Sequence, residues 1–184
     1  MASLPELEAP AWSIRPEQPI DIDQIHELHR AAFRGPAEAE LVDAIRSGPD
    51  FVPELSLVAV TEDGSVIGHV LVSRIGFVPT DEGAPRQEVL ALAPLAVLPP
   101  HWGRGIGSEL VRAALAVADG RGEEFVIVLG SPDYYRRFGF APAATYDIGG
   151  PYEAAGEAFQ VRPRTDVGAL SPGTAVYPPM FSAV

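Results

Sequence analysis

Hydrophobic positions recur along this chain at two different spacings, and each change of spacing marks a new element. "DIDQIHELHRAAF" puts Ile22, Ile25, Leu28 and Phe33 near one face of a helix, with Asp21 and Asp23 as capping or first-turn acids. Gly35-Pro36 ends it, and "AEAELVDAIRSG" predicts a second helix stopped at Gly48. The period then shortens. "LSLVAVTEDGSVIGHVLVSRIGFV" predicts two strands joined around Asp63-Gly64, a sound hairpin signal. "RQEVLALAPLAVL" is a third long strand, and Pro94 inside it removes a ladder donor, which points to a bulge or a local break in pairing. A glycine-rich turn follows, then a helix from about Gly105 to Ala118, a strand in "EEFVIVLG", and a short helix and turn in "SPDYYRRFGF". "AWSIRP" predicts an edge strand ahead of the first helix, and "AFQVRP" is the best strand candidate in a loop-rich remainder. The order β-α-α-β-β-β-α-β-α-β describes an α/β domain whose sheet mixes hairpin pairs with a crossover.

The chain has 184 residues and no internal repeat, which fits a flexible segment over 1–10 and a single domain over 11–184, with its core in 11–141. Hydrophobic residues make up 47% and charged residues 21%, values of a folded protein. A net charge of -12 argues against a broad phosphate-binding surface, so nucleic acid is not an expected partner. All 13 basic residues are arginine, which excludes a Walker-type loop, a Schiff-base enzyme and a lysine base. There is no cysteine, hence no disulfide framework and no thiolate metal site or nucleophile. "HELH" at 26–29 lacks the H-E-x-x-H spacing, and no metal is expected. No apolar run reaches membrane-spanning length and no basic leader opens the chain, so the expectation is a soluble cytoplasmic protein without a membrane partner.

The candidate chemistry starts at "PPHWGRGIGSEL", residues 99–110, set between a strand and a helix. The first amides of a helix have no intrahelical acceptor and the helix dipole favours negative charge there, so such a turn can hold an anion. Gly103, Gly105 and Gly107 would let a phosphate approach bare backbone, and Arg104 could add a charged contact; the plain alternative is glycines that serve only the turn. A dinucleotide fingerprint fits poorly, because its third glycine position holds Ser108.

This turn resembles the signature of the GNAT superfamily of acyl-CoA-dependent N-acyltransferases, (Q/R)-x-x-G-x-(G/A) after a bulged strand. "WGRGIG" at 102–107 supplies its small residues at Gly105 and Gly107, and Trp102 stands where the family usually has Gln or Arg. "LAVLP" at 95–99 and "YYRRFGF" at 134–140 are further family hallmarks in the right order. The whole chain is similar to the YhbS-like branch of this superfamily, including "AFQV" followed by "GAL" in the tail. The resemblance implies a mixed, mostly antiparallel central sheet with splayed strands flanked by helices.

It also implies acetyl-CoA as cosubstrate, with Leu95, Ala96 and Val97 pairing with the pantetheine arm. The amides of Gly103, Arg104, Gly105, Ile106, Gly107 and Ser108 would hold the pyrophosphate. Acyl transfer needs a neutral amine, a donor for the oxyanion and a proton for the leaving thiolate. The family pattern Y-x-x-x-G-F puts Tyr135 near the thioester sulfur as candidate general acid, with Gly139-Phe140 completing the motif. An asparagine that often contacts pantetheine has no counterpart, since Ser131-Pro132 stands there. The position aligned with the family's strand acid is Ala91, which leaves Glu88, working through water, and His69 as candidate bases. The expected acceptor is an amine on a small molecule or a peptide, and the expected assembly is a monomer or a homodimer. The rival from another class is a noncatalytic acyl-CoA sensor on the same fold.

Overall fold

The computed structural model describes residues 11–183, so the expectation for residues 1–10 lies outside the described residues. One sheet takes strands from both ends of that range. Its strands are β1 (Trp12–Pro16), β2 (Ser56–Thr61), β3 (Val66–Pro79), β4 (Gln87–Val97), β5 (Phe125–Leu129), β6 (Ala141–Pro142), β7 (Ile148–Gly149), β8 (Phe159–Pro163) and β9 (Gly173–Val176). The main path runs β1-β2-β3-β4-β5-β8-β6, and β9 joins the far end of β3 and carries β7. Pairing is antiparallel except at β4–β5 and β7–β9. The mixed, mostly antiparallel sheet expected from the resemblance is therefore present.

Helices α1 (Ile22–Phe33) and α2 (Ala37–Arg46) cover one face; α3 (Ile106–Gly120), the crossover from β4 to β5, covers the other. In α1 the buried positions are Ile25, Leu28 and His29, one turn apart, as the 3.6-residue period requires. In α3, Ile106, Leu110, Val111, Ala114 and Ala118 form the same kind of stripe against β2 and β3. Two details depart from the sequence expectation. Phe33 turns outward at the end of α1, because the chain leaves the helix at Arg34 in the left-handed conformation, φ 58°. Asp21 makes no side-chain cap on α1; its buried carboxylate accepts from Arg15 (2.6 Å) and from the Gln18 N–H (2.8 Å) instead. No helix among the described residues is long and apolar enough to cross a membrane.

Beneath α1 and α2 the core holds a chain of polar side chains. Arg46 donates to both oxygens of Glu17 (2.6 and 3.1 Å), and the Ser56 hydroxyl donates to the same carboxylate. Ser56 therefore accepts from His69 Nε2–H at 2.9 Å, which leaves His69 Nδ1 to accept from His29 Nε2–H at 2.8 Å. The pattern assigns both tautomers. It ends at His29 Nδ1, which is buried without a partner among the described residues. Burial, helped by His69 and Arg46, pushes the His29 imidazole down to about 2, and burial lowers His69 as well. For Glu17, burial alone would raise the carboxyl, but hydrogen bonds from His69, Arg46 and Ser56 outweigh it and hold it at about 2.

These shifts set a pH dependence. The unfolded chain takes up protons at His29 and His69 below their ordinary value while the folded chain does not, so stability falls as pH drops from about 6.5. The slope approaches about 1.4 kcal/mol per pH unit for one fully neutral buried histidine, and Glu17 adds to the loss below about pH 4.5. Thermal unfolding followed by circular dichroism should show the melting temperature declining from pH 7 to pH 5; a flat profile there would refute neutral burial of the pair.

Candidate active site

The site begins where a ladder stops. β4 and β5 pair in parallel at Leu90–Val126, Ala91–Ile127 and Leu92–Val128, and no further. The register of β4 against β3 shifts at the same place: Leu92 faces Val72 and Leu95 faces Val70, so Ala93 and Pro94 together oppose Leu71. This is the bulge that Pro94 signalled, since a proline nitrogen has no hydrogen to donate. Beyond it β4 stays paired to β3 through Val97, while its other edge has no strand beside it among the described residues.

That edge has a definite polarity. The Leu98 N–H reaches the Ile67 carbonyl at 2.9 Å, toward β3. Successive peptide groups point to opposite edges of a strand, so Leu95 and Val97 direct their N–H and C=O to the open side while Ala96 serves β3. The Val97 carbonyl is already taken: Trp102 Nε1–H donates to it at 2.6 Å. Trp102 thus folds back over the strand end, with 58% of its surface still exposed.

The glycine turn follows directly. Gly103 (φ 75°) and Gly105 (φ 90°) adopt the left-handed conformation that disfavours any Cβ. The first intrahelical bond of α3 runs from the Glu109 N–H to the Gly105 carbonyl at 3.0 Å. None of the six N–H groups from Gly103 to Ser108 has an acceptor among the described residues. Gly107 is needed for another reason: a Cβ there would stand 2.9 Å from the Tyr134 hydroxyl. The amides border a cavity of about 320 Å³ whose wall is closed by Tyr134 and Arg137. Arg137 lies with its guanidinium 4.2 Å from the Tyr134 ring centre, and it has no acid partner among the described residues. Arg104 instead turns back to His101, 3.2 Å away, and does not line the cavity.

At the other end of the open edge lies a cavity of about 280 Å³. Leu92 to Leu95 form one side and Leu129-Gly130 of β5 the other, with Tyr135 between them. Tyr135 ends the short helix α4 (Pro132–Tyr135); its ring packs on Gly130, Tyr134 and Phe140 and is 8% exposed. Its hydroxyl has no partner among the described residues, and burial, then the neighbouring Tyr134, pushes its pKa well above that of a free phenol. The outer walls come from Phe33, Glu38 and Leu41 and from the tail residues Tyr152, Tyr177 and Phe181.

The candidate residues therefore divide. Leu95, Val97, Gly103, Gly105, Ile106, Gly107, Ser108 and Tyr135 lie along one continuous path, from the glycine turn to the second cavity. Ala96 is buried and paired to His69. His69 sits in the polar chain beneath α1 and does not line either cavity. Glu88 is exposed near the start of β4, in a separate depression with Asp50 and Arg86, four residues before Leu92 or about 13 Å along the strand. Sequence reasoning passed over Glu38 and the tail aromatics. Arg136-Arg137 reads from sequence as a partner for surface acids or for a cofactor phosphate, the former being the usual outcome; in the structure Arg137 has no acid partner among the described residues and lines the cavity at the glycine turn.

Comparison with known proteins gives the arrangement a context. Residues 22–140 match the model of the acetyltransferase (GNAT) family. An uncharacterized N-acetyltransferase of Escherichia coli strain K12, YhbS, is 37% identical over 153 residues, covering 83% of this chain and 87% of its own. The crystal structure of E. coli YhbS in complex with CoA superposes with a TM-score of 0.81 at 33% identity, covering 99% of this chain and 96% of that one. A GNAT acetyltransferase from Brucella melitensis in complex with acetyl-CoA gives 0.74 at 31% identity, covering 92% and 97%. These relatives are acetyltransferases, so the noncatalytic alternative gains no support. By family model, relatives and fold alike, the chain belongs to the acetyltransferase (GNAT) family, whose members are N-acetyltransferase enzymes.

Proposed function

We propose that this enzyme moves an acetyl group from acetyl-CoA directly to an amine, with Tyr135 providing the proton for the departing sulfur. The observation that carries the reading is the open edge of β4, which joins an amide-lined turn to a cavity floored by Tyr135. The donor fits these residues. Its pantetheine arm carries amides that can meet the Leu95 N–H and C=O and the Val97 N–H, and its pyrophosphate suits six unpaired amides, the N-terminus of α3 and Arg137. The CoA and the acetyl-CoA bound by the two structural relatives point the same way.

Acetyl-CoA brings a thioester whose carbon–sulfur bond breaks as the new carbon–nitrogen bond forms. The chain's part is placement and proton supply. Leu95 and Val97 fix the arm along the strand, so the reacting carbonyl falls beside Leu92 and Tyr135. Burial keeps the Tyr135 phenol protonated at neutral pH. The same burial disfavours release of a free thiolate, so a proton delivered to the sulfur eases its departure. With no cysteine in the chain, direct attack is favoured over a two-step route through the enzyme. Neither His69 nor Glu88 lines the cavity, so neither of these sequence candidates takes the amine's proton. The acceptor is an amine of a small molecule or peptide.

Two substitutions check this. Tyr135→Phe should lower kcat about a hundredfold, the low end of general-acid contributions, with the Kd for acetyl-CoA unchanged. Unchanged turnover would remove Tyr135 as the acid. Gly107→Ala would press a methyl group against the Tyr134 hydroxyl inside the cradle. Calorimetry should show acetyl-CoA affinity reduced about tenfold or more, roughly 1.4 kcal/mol, and full affinity would place the pyrophosphate elsewhere.

A further inference from the structure

The cavity beyond Tyr135 has one charged wall residue among the described residues, Glu38, and the rest is aliphatic or aromatic. Glu38 sits half-buried in the first turn of α2, and its carboxylate has neither a hydrogen bond nor an ion pair among the described residues. Acids facing a cavity are ordinarily matched by a cation, and here no arginine or histidine is at hand. The same cavity has an aromatic wall: Tyr152 and Tyr177 meet edge-on at 4.9 Å, and Tyr177 and Phe181 at 5.1 Å. The Tyr152 hydroxyl is spent on the Phe181 carbonyl at 3.1 Å, so this residue turns its ring rather than its polar end to the space. Phe33 and Leu41 complete the apolar surround.

We infer that the acetyl acceptor is a primary monoamine with an apolar, aromatic or short alkyl body, its ammonium group received by the Glu38 carboxylate and losing a proton to water before the neutral nitrogen attacks the thioester. The inference rests on the transferase reading above and names the class of substrate for that site. A polyamine would bring a second cation with no second carboxylate to meet it. A free amino acid would bring a carboxylate into a cavity with no cation in its wall, so both lose affinity by burying an unpaired charge. A volume of about 280 Å³ is near the low end for small-molecule sites, roughly 300–1,000 Å³, and holds one ring or a short chain beside the thioester. Aromatic faces also attract a cation passing toward Tyr135.

The test compares four probes with the purified full-length protein: phenethylamine, L-phenylalanine, spermidine and 2-phenylethanol, each assayed for acetyl-CoA-dependent thiol release. Phenethylamine should give the highest kcat/KM, at least tenfold above L-phenylalanine and spermidine, and 2-phenylethanol should not react. Glu38→Gln, which keeps the shape and removes the charge, should lower kcat/KM for phenethylamine ten- to a hundredfold, chiefly through KM. Binding of phenethylamine to the CoA-loaded protein should weaken in the same proportion, whereas binding of 2-phenylethanol should not change. Faster acetylation of spermidine or L-phenylalanine, or a Glu38→Gln enzyme equal to wild type, would overturn the inference while leaving the transferase intact. Acetyl-CoA bound but released by no probe would overturn the inference too, and failure to bind acetyl-CoA at all would instead bring down the transferase reading.

Discussion

Everything functional in this molecule depends on three strand pairs between β4 and β5 and on the absence of a fourth. Up to Leu92 the two strands share a parallel ladder that anchors α3 as their crossover. Past Leu92 the bulge at Ala93-Pro94 re-aims β4, and its outer edge keeps unsatisfied amides in a place the protein itself does not fill. A buried, unpaired backbone group is costly, so an edge of this kind persists only where water or a ligand completes it. A linear molecule with amides of its own is the natural complement. The glycine turn at one end and Tyr135 at the other then mark its polar and reactive ends.

The two walls of the cleft have different origins, and the difference bears on specificity. The donor side is built from contiguous chain, β4 through α3 and then β5 with α4, so its geometry follows from a single crossover. The acceptor side is assembled from the α1–α2 junction and the last thirty-odd residues, which meet only because β9 pairs with the far half of β3 at Gly76–Val176 through Pro79–Gly173. That pairing brings Tyr177 and Phe181 against α2. The polar chain from Arg46 through Glu17, Ser56 and His69 to His29 ties α1, α2 and the central strands beneath the same junction. On the proposed reading, acceptor choice is therefore a property of tertiary assembly, and donor choice a property of one local supersecondary unit.

This division explains what could be read from the residues alone. The β2–β3 hairpin, the proline bulge and the strand–glycine–helix unit are local patterns with local physical causes, and each appears where the spacing put it. The role of Gly103 and Gly105 as left-handed positions likewise follows from residue type. Glu38 had no such mark. Its neighbour Glu40 is an equally good first-turn acid, and only the arrival of a wall from more than a hundred residues away separates the two. The tail looked loop-rich because β6, β7 and β9 are two to four residues long, too short to show a period. His69 raised the opposite difficulty. Its strand is buried on both faces, so alternation could not tell a residue facing a cavity from one facing α1.

Trp102 stands where the family usually has Gln or Arg, and its geometry gives that difference a physical meaning. A flexible polar side chain at this point could reach toward an anion. The indole instead spends its only donor on the Val97 carbonyl, the last acceptor of the open edge. The outermost strand carbonyl is thus already occupied, and on the proposed reading the Val97 N–H and both groups of Leu95 are left for the pantetheine arm. The positive charge the family's residue can bring to the turn is supplied here from across the cleft. Arg137 is held over Tyr134, and its Nε–H donates to the Tyr134 carbonyl at 3.0 Å, so its orientation is set by the helix that also carries Tyr135. On the proposed reading, phosphate binding and proton donation would be coupled through one short helix, and a shift of α4 that loosened the anion contact would also move the phenol away from the sulfur.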